Sequence, residues 1–131
     1  MARSYTVKAV ALALGVQSKW TDNLLSRHAI PGVERSRQGI ERRVTDDGLL
    51  AIELIRILNL ELGVSMERAA GIAREAMKSS APVGMSFVTS SGLSLHFPVA
   101  DIERRLRERM MDALEATARR RRGRPPRSEK T

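Results

Sequence analysis

Residues 5–28 read YTVKAVALALGVQSKWTDNLLSRH, two short helical patterns joined at a glycine. Thr6 has the character of an N-cap, and Val7, Val10, Ala11 and Leu14 then recur at helical spacing until Gly15 stops the run. Ser18 is the next capping candidate. After it Trp20, Thr21, Leu24, Leu25 and His28 share one face, while Lys19, Asp22, Asn23, Ser26 and Arg27 share the other. Pro31-Gly32 ends this second helix. Two short helices joined through a glycine turn read as a helix-turn-helix.

Working outward, Val33 to Val44 is too polar and Arg-rich for a core helix. Ile40, Arg42 and Val44 alternate with Glu41 and Arg43, and Ser36-Arg37-Gln38-Gly39 suits a turn, so the stretch predicts a small hairpin displaying Arg35, Arg37, Arg42 and Arg43. Thr45-Asp46-Asp47 is a helix start, a capping hydroxyl followed by two carboxylates near the positive end of the dipole. The helix it opens, from Leu49 through Leu62, is apolar nearly all round and predicts the central core element, closed by Gly63. Ser65 caps an Ala-rich helix reaching Met77, and small side chains let it lie close to a neighbour.

Beyond Ser79-Ser80-Ala81-Pro82, residues 83–98 predict a second hairpin. Met85, Phe87 and Thr89 alternate with Ser86, Val88 and Ser90; after Ser91-Gly92, Leu93, Leu95 and Phe97 alternate with Ser94 and His96. A lone hairpin is marginal, so its apolar face must cover this domain or a second copy. Residues 101–118 are helical again, with Ile102, Leu106, Met110 and Leu114 stepping by four beside Ala113 and Thr117. One narrow stripe on a charged helix serves equally to fold back on its own domain or to form a dimer seam. The expected fold is thus mainly α, with small β-hairpins: residues 1–78, the hairpin 83–98, the helix 101–118, and a disordered basic tail at 119–131.

At 131 residues the chain holds one domain with an appendage. Aromatics are 3%, so the core must be aliphatic. Having no cysteine excludes disulfides, thiolate metal sites and thiol nucleophiles. No apolar run is long enough for a membrane helix, the start lacks the apolar block of a signal peptide, and cytoplasm is the expected compartment. The net charge of +8 is unevenly spread: residues 1–45 carry +5, residues 46–116 carry −3, and residues 117–131 carry +6. Two cationic ends flanking an acidic middle call for a polyanion, nucleic acid first and an anionic membrane surface second. Catalytic patterns are poor. His28 and His96 are the only imidazoles, and helix capping accounts for Asp46-Asp47. No phosphate-cradling glycine loop, nucleophile elbow or metal-spaced cluster occurs, so neither an enzyme nor a cofactor is expected.

Taken together, YTVKAVALALGVQSKWTDNLL, GVERSRQGIERRVTDDG and LLAIELIRILNLELGVSMERAAGIAREAM resemble the DNA-binding domain of MerR-type winged-helix regulators. The order carries the resemblance: helix, Gly-Val turn, helix, basic wing, Thr-Asp-Asp cap, long apolar helix, Leu-Gly-Val-Ser, helix. It covers a little over half the chain. It implies a winged helix-turn-helix in which the helix Ser18–His28 enters the major groove and the wing grips the phosphate backbone. The residue types suit those roles, since Asn and Lys can read base edges and arginines suit phosphates. There are departures: the reading stretch is Trp20-Thr21-Asp22-Asn23-Leu24, with an aspartate that would repel phosphate, and the Met85–Phe97 hairpin interrupts the family's usual long dimerisation helix.

Arg122-Gly123-Arg124-Pro125, preceded by Arg119-Arg120-Arg121, resembles the core of an AT-hook. Glycine there admits the backbone to a narrow groove, proline keeps it extended, and the arginines lie along an A·T-rich minor groove. The expected function is double-stranded DNA binding in transcriptional regulation, by a homodimer associated with the nucleoid. Lys19, Asn23 and Arg27 are the expected major-groove set, Arg35, Arg37, Arg42 and Arg43 the wing set, and Arg122, Gly123, Arg124 and Pro125 the tail set. The alternatives are an architectural or excisionase-like DNA accessory factor, and a protein-interaction subunit docking a protein partner through residues 83–118.

Overall fold

The structure, a computed structural model, describes residues 3–34, 42–78 and 85–123. It is mainly helical, with two small antiparallel sheets. Strand β1 (Ser4–Thr6) leads into helix α1 (Val7–Leu14), and α2 (Ser18–Arg27) comes next. Strands β2 (Val33–Glu34) and β3 (Arg43–Thr45) precede α3 (Asp46–Arg56), which widens into a π-helical turn at Ile57–Glu61 before α4 (Met66–Lys78). Strands β4 (Met85–Val88) and β5 (Ser94–Phe97) lead to the long α5 (Val99–Gly123).

The helix starts and stops obey local chemistry. The Thr6 hydroxyl accepts from the Ala9 N–H at 3.1 Å, and Gly15, at φ 68°, turns the chain out of α1. The expected cap at Ser18 is displaced by one residue. Gln17 is the N-cap, its carbonyl accepts from the Thr21 N–H at 3.3 Å, and Ser18 is already helical. The tight turn at Gly15, which brings the Val16 N–H back to the Ala11 carbonyl, leaves room for the second helix to begin early.

The expected basic hairpin exists at its base, where Val33 faces Val44 and Glu34 faces Arg43. Its turn, Ser36-Arg37-Gln38-Gly39, lies outside the described residues. A third strand was not anticipated: β1 pairs antiparallel with β3, placing β3 in the middle of the sheet. A three-residue strand carries too little periodicity to be read alone, and only its partner defines it.

Gly32 and Gly48 bring two stretches of backbone into direct contact. A Cβ on Gly32 would lie 2.2 Å from the Gly48 nitrogen, and Gly32 sits at φ 81°. This contact lets the Gly32 carbonyl accept from both the Thr45 N–H and the Thr45 hydroxyl, each at 2.8 Å. The same hydroxyl accepts from the Gly48 N–H at 3.2 Å, so one threonine caps α3 and ties it to the hairpin base.

The central element is α3. Every residue from Gly48 to Ile55 is buried, including Glu53. Packed around α3 is one aliphatic core that includes Val10, Leu14, Leu24, Val44, Ala69 and Ala73, and extends to Phe97, Ile102, Leu106 and Met110. The second hairpin packs on α4 of its own chain, with Phe87 under the Arg68 guanidinium at 5.9 Å.

Helix α5 folds back on α1 and α3. Its buried stripe is Ile102, Leu106, Met110 and Ala113, not Leu114, which is 44% exposed. A strict four-residue step drifts by about 40° each time on a helix of 3.6 residues per turn, so after two steps the three-residue neighbour takes the inner position. The helix also starts two residues earlier than expected and continues through Gly123, so the first five residues of the expected disordered tail are helical. No described helix is long and apolar enough to cross a membrane.

Candidate nucleic-acid interface

The outer face of α2 presents a row of polar side chains to solvent. Lys19, Asn23 and Arg27 fall at four-residue steps and so line up along the helix, with Asp22 and Ser26 beside them; all five are exposed. Among the described residues, Lys19, Asn23 and Arg27 have no internal side-chain partner. Ser26 is different, because its hydroxyl donates to the Asn23 carbonyl at 3.2 Å. The opposite face anchors the helix through Thr21, Leu24 and Leu25, all buried.

Trp20 lies at the edge between these faces and is half-buried. Its indole Nε1–H donates to Asn59 Oδ1 at 3.0 Å, and Asn59 Nδ2 donates to the Val64 carbonyl at 2.7 Å. Asn59 stands in the π turn, whose wider spacing is marked by the Leu62 N–H reaching the Ile57 carbonyl at 3.1 Å. Sequence reasoning missed this residue. The signal was a single neutral polar side chain within ILNLEL, a run otherwise read as uniform helix.

The wing set divides. Arg35 and Arg37 lie outside the described residues. Arg42 is half-buried just before β3. Arg43 is committed internally: Nε donates to Ser4 Oγ at 3.2 Å and Nη2 to the Ser4 carbonyl at 2.9 Å, stitching β1 to β3. Of the tail set, Arg122 and Gly123 form the end of α5, and Arg124 and Pro125 lie outside the described residues. An AT-hook needs extended backbone at that glycine, so the last turn of α5 would have to unwind to enter a minor groove that way.

A further cation belongs to this region. Arg74 on α4 donates from Nη1 to the Ala29 carbonyl at 3.3 Å, bracing the link between α2 and β2. Elsewhere Glu53 holds Arg56 through two hydrogen bonds, Arg56 also pairs with Glu61 at 3.0 Å, and Arg109 of α5 approaches Glu53 at 3.8 Å. The Arg56 guanidinium is accordingly held more firmly protonated, chiefly by its hydrogen bond to Glu53. These charges gather around the buried Glu53 and not on the exposed stripe of α2.

His28 is half-buried where α2 ends, and His96 is exposed on the polar face of the second hairpin. Among the described residues no three His, Asp or Glu side chains are placed to hold a metal ion. Comparison with family models, with curated proteins and with solved structures finds no match for this chain.

Proposed function

We propose that the protein binds double-stranded DNA, presenting α2 to the major groove as a winged helix-turn-helix regulator would. The observation that carries this reading is the stripe Lys19–Asn23–Arg27, without a side-chain partner among the described residues, on a helix whose other face is locked into the core. A side-chain amide flanked by two cations on a rigid helix combines a base-edge reader with phosphate contacts. The basic hairpin begins at Val33, a short link beyond α2, and the arginines that its sequence carries, Arg35, Arg37 and Arg42, are of a type suited to phosphate contacts. The arginine string after Ala118 adds non-specific attraction to the same polyanion. A homodimer, the usual way for one small head to specify a site, would use a face other than the inner stripe of α5, which is occupied by α1 and α3.

Selection of bound fragments from random duplex DNA tests the proposal directly. A recurrent short motif, bound tighter than a scrambled duplex and lost on Asn23→Ala, is the expected result. No enrichment at modest ionic strength would overturn it.

A further inference from the structure

We infer that Asn59 is a positioning residue: through Trp20 it fixes the rotation of α2 about its own axis, and so sets which residues of the outer stripe meet base edges. This rests on the DNA-binding reading above. The buried contacts of α2 are a hydroxyl and two leucines, Thr21, Leu24 and Leu25. Aliphatic packing is non-directional and tolerates small rotations. Hydrogen bonds do not. The indole N–H of Trp20 reaches Asn59 Oδ1 at 3.0 Å, one turn before Asn23.

The carboxamide of Asn59 is itself held. Its Nδ2 donates to the Val64 carbonyl at 2.7 Å, and the Val64 N–H returns to the Leu58 carbonyl at 2.8 Å. With both ends of the amide engaged, its orientation is determined and the acceptor offered to Trp20 cannot swing away. The π turn makes this possible. Such a turn takes up one extra residue, offsetting the later part of the helix by about 100° relative to an uninterrupted α-helix. Asn59 stands at the middle of this turn and meets Trp20 of α2. The lever is large enough to matter: rotating a helix by about 20° moves a side-chain tip at about 5–6 Å radius by about 2 Å, enough to break a hydrogen bond.

The test uses the full-length chain, a duplex selected by the wild-type protein and a scrambled duplex of equal composition, at one salt concentration. Asn59→Ala and Trp20→Phe should each lower the ratio of selected to scrambled affinity about tenfold, the scale of one lost base contact, while affinity for the scrambled duplex holds within about twofold. The double substitution should fall no further than either single one. An unchanged ratio, or equal loss on both duplexes, would overturn the inference. Trp20 is the only tryptophan, so hydrogen exchange of its indole N–H gives a second readout that needs no DNA. Protection in the wild type and its loss in Asn59→Ala are expected, and equal exchange in both would also overturn the inference. A wild-type chain that binds no duplex would fail the functional reading, and with it the role assigned here, while the exchange result would still report whether the clamp exists.

Discussion

Several side chains here make internal contacts that their residue type alone does not announce. Arg43 is the clearest. An arginine in a basic hairpin reads as a phosphate contact, and here two of its N–H groups are held by Ser4. Arg43→Ala should therefore lower unfolding stability by about 1–2 kcal/mol, measured by denaturant titration, through loss of two hydrogen bonds. Tyr5 makes a similar internal commitment. Its hydroxyl donates to Asp46 Oδ1 at 3.0 Å; burial, then this bond and the Asp46 charge, raise its pKa above the usual 10. A raised folded-state pKa means that the fold favours the neutral phenol. The stabilisation is complete below the unfolded value and is lost as pH rises through the folded one. As the only tyrosine, it can be titrated by tyrosinate absorbance, whose midpoint should lie above 10 in the folded chain and return toward 10 in denaturant.

At the level of elements, the junction of the first hairpin with α3 turns on Gly32, Thr45 and Gly48. Gly→Ala inside a helix ordinarily stabilises by up to about 1 kcal/mol. At Gly48 the sign should reverse, because the added methyl would lie 2.6 Å from the Gly32 carbonyl oxygen. We expect Gly48→Ala to destabilise by about 1–3 kcal/mol in chemical denaturation, the cost of overpacking. Thr45→Ala should cost about 1–2 kcal/mol by removing the cap and the bond to Gly32 together. For α5, Leu106→Ala should cost about 2–5 kcal/mol, since Leu106 is buried among core residues. Met111→Ala, at a position 65% exposed, should change stability by less than about 0.5 kcal/mol.

For the whole molecule the distribution of charge matters more than any single contact. Under the DNA-binding reading, removing residues 119–131 should weaken binding and flatten the slope of log affinity against log salt concentration, because seven basic residues leave with one acidic residue. Binding measured from low to moderate salt would show it, and an unchanged slope would mean that the arginine string does not touch the polyanion. The head and the last helix share one hydrophobic core, so α5 is part of the domain that carries α2 and not a separate module.

Much of this protein was legible in its sequence because the relevant forces act within a few residues. The cap at Thr6, the left-handed stop at Gly15, the Thr45-Asp46-Asp47 start and the polar outer face of α2 all depend on short-range geometry and a 3.6-residue period. The features that stayed hidden depend on partners distant along the chain. Strand β1 exists because β3 lies beside it, Arg43 turns inward because Ser4 is there, and α5 covers α1 and α3 where its stripe alone fitted a dimer seam equally well. The clamp from Trp20 through Asn59 to Val64 depends on a π turn that interrupts the periodicity by which helices are read. Local pattern determines which elements form and which faces are apolar; long-range packing alone decides which of the available polar groups each side chain meets.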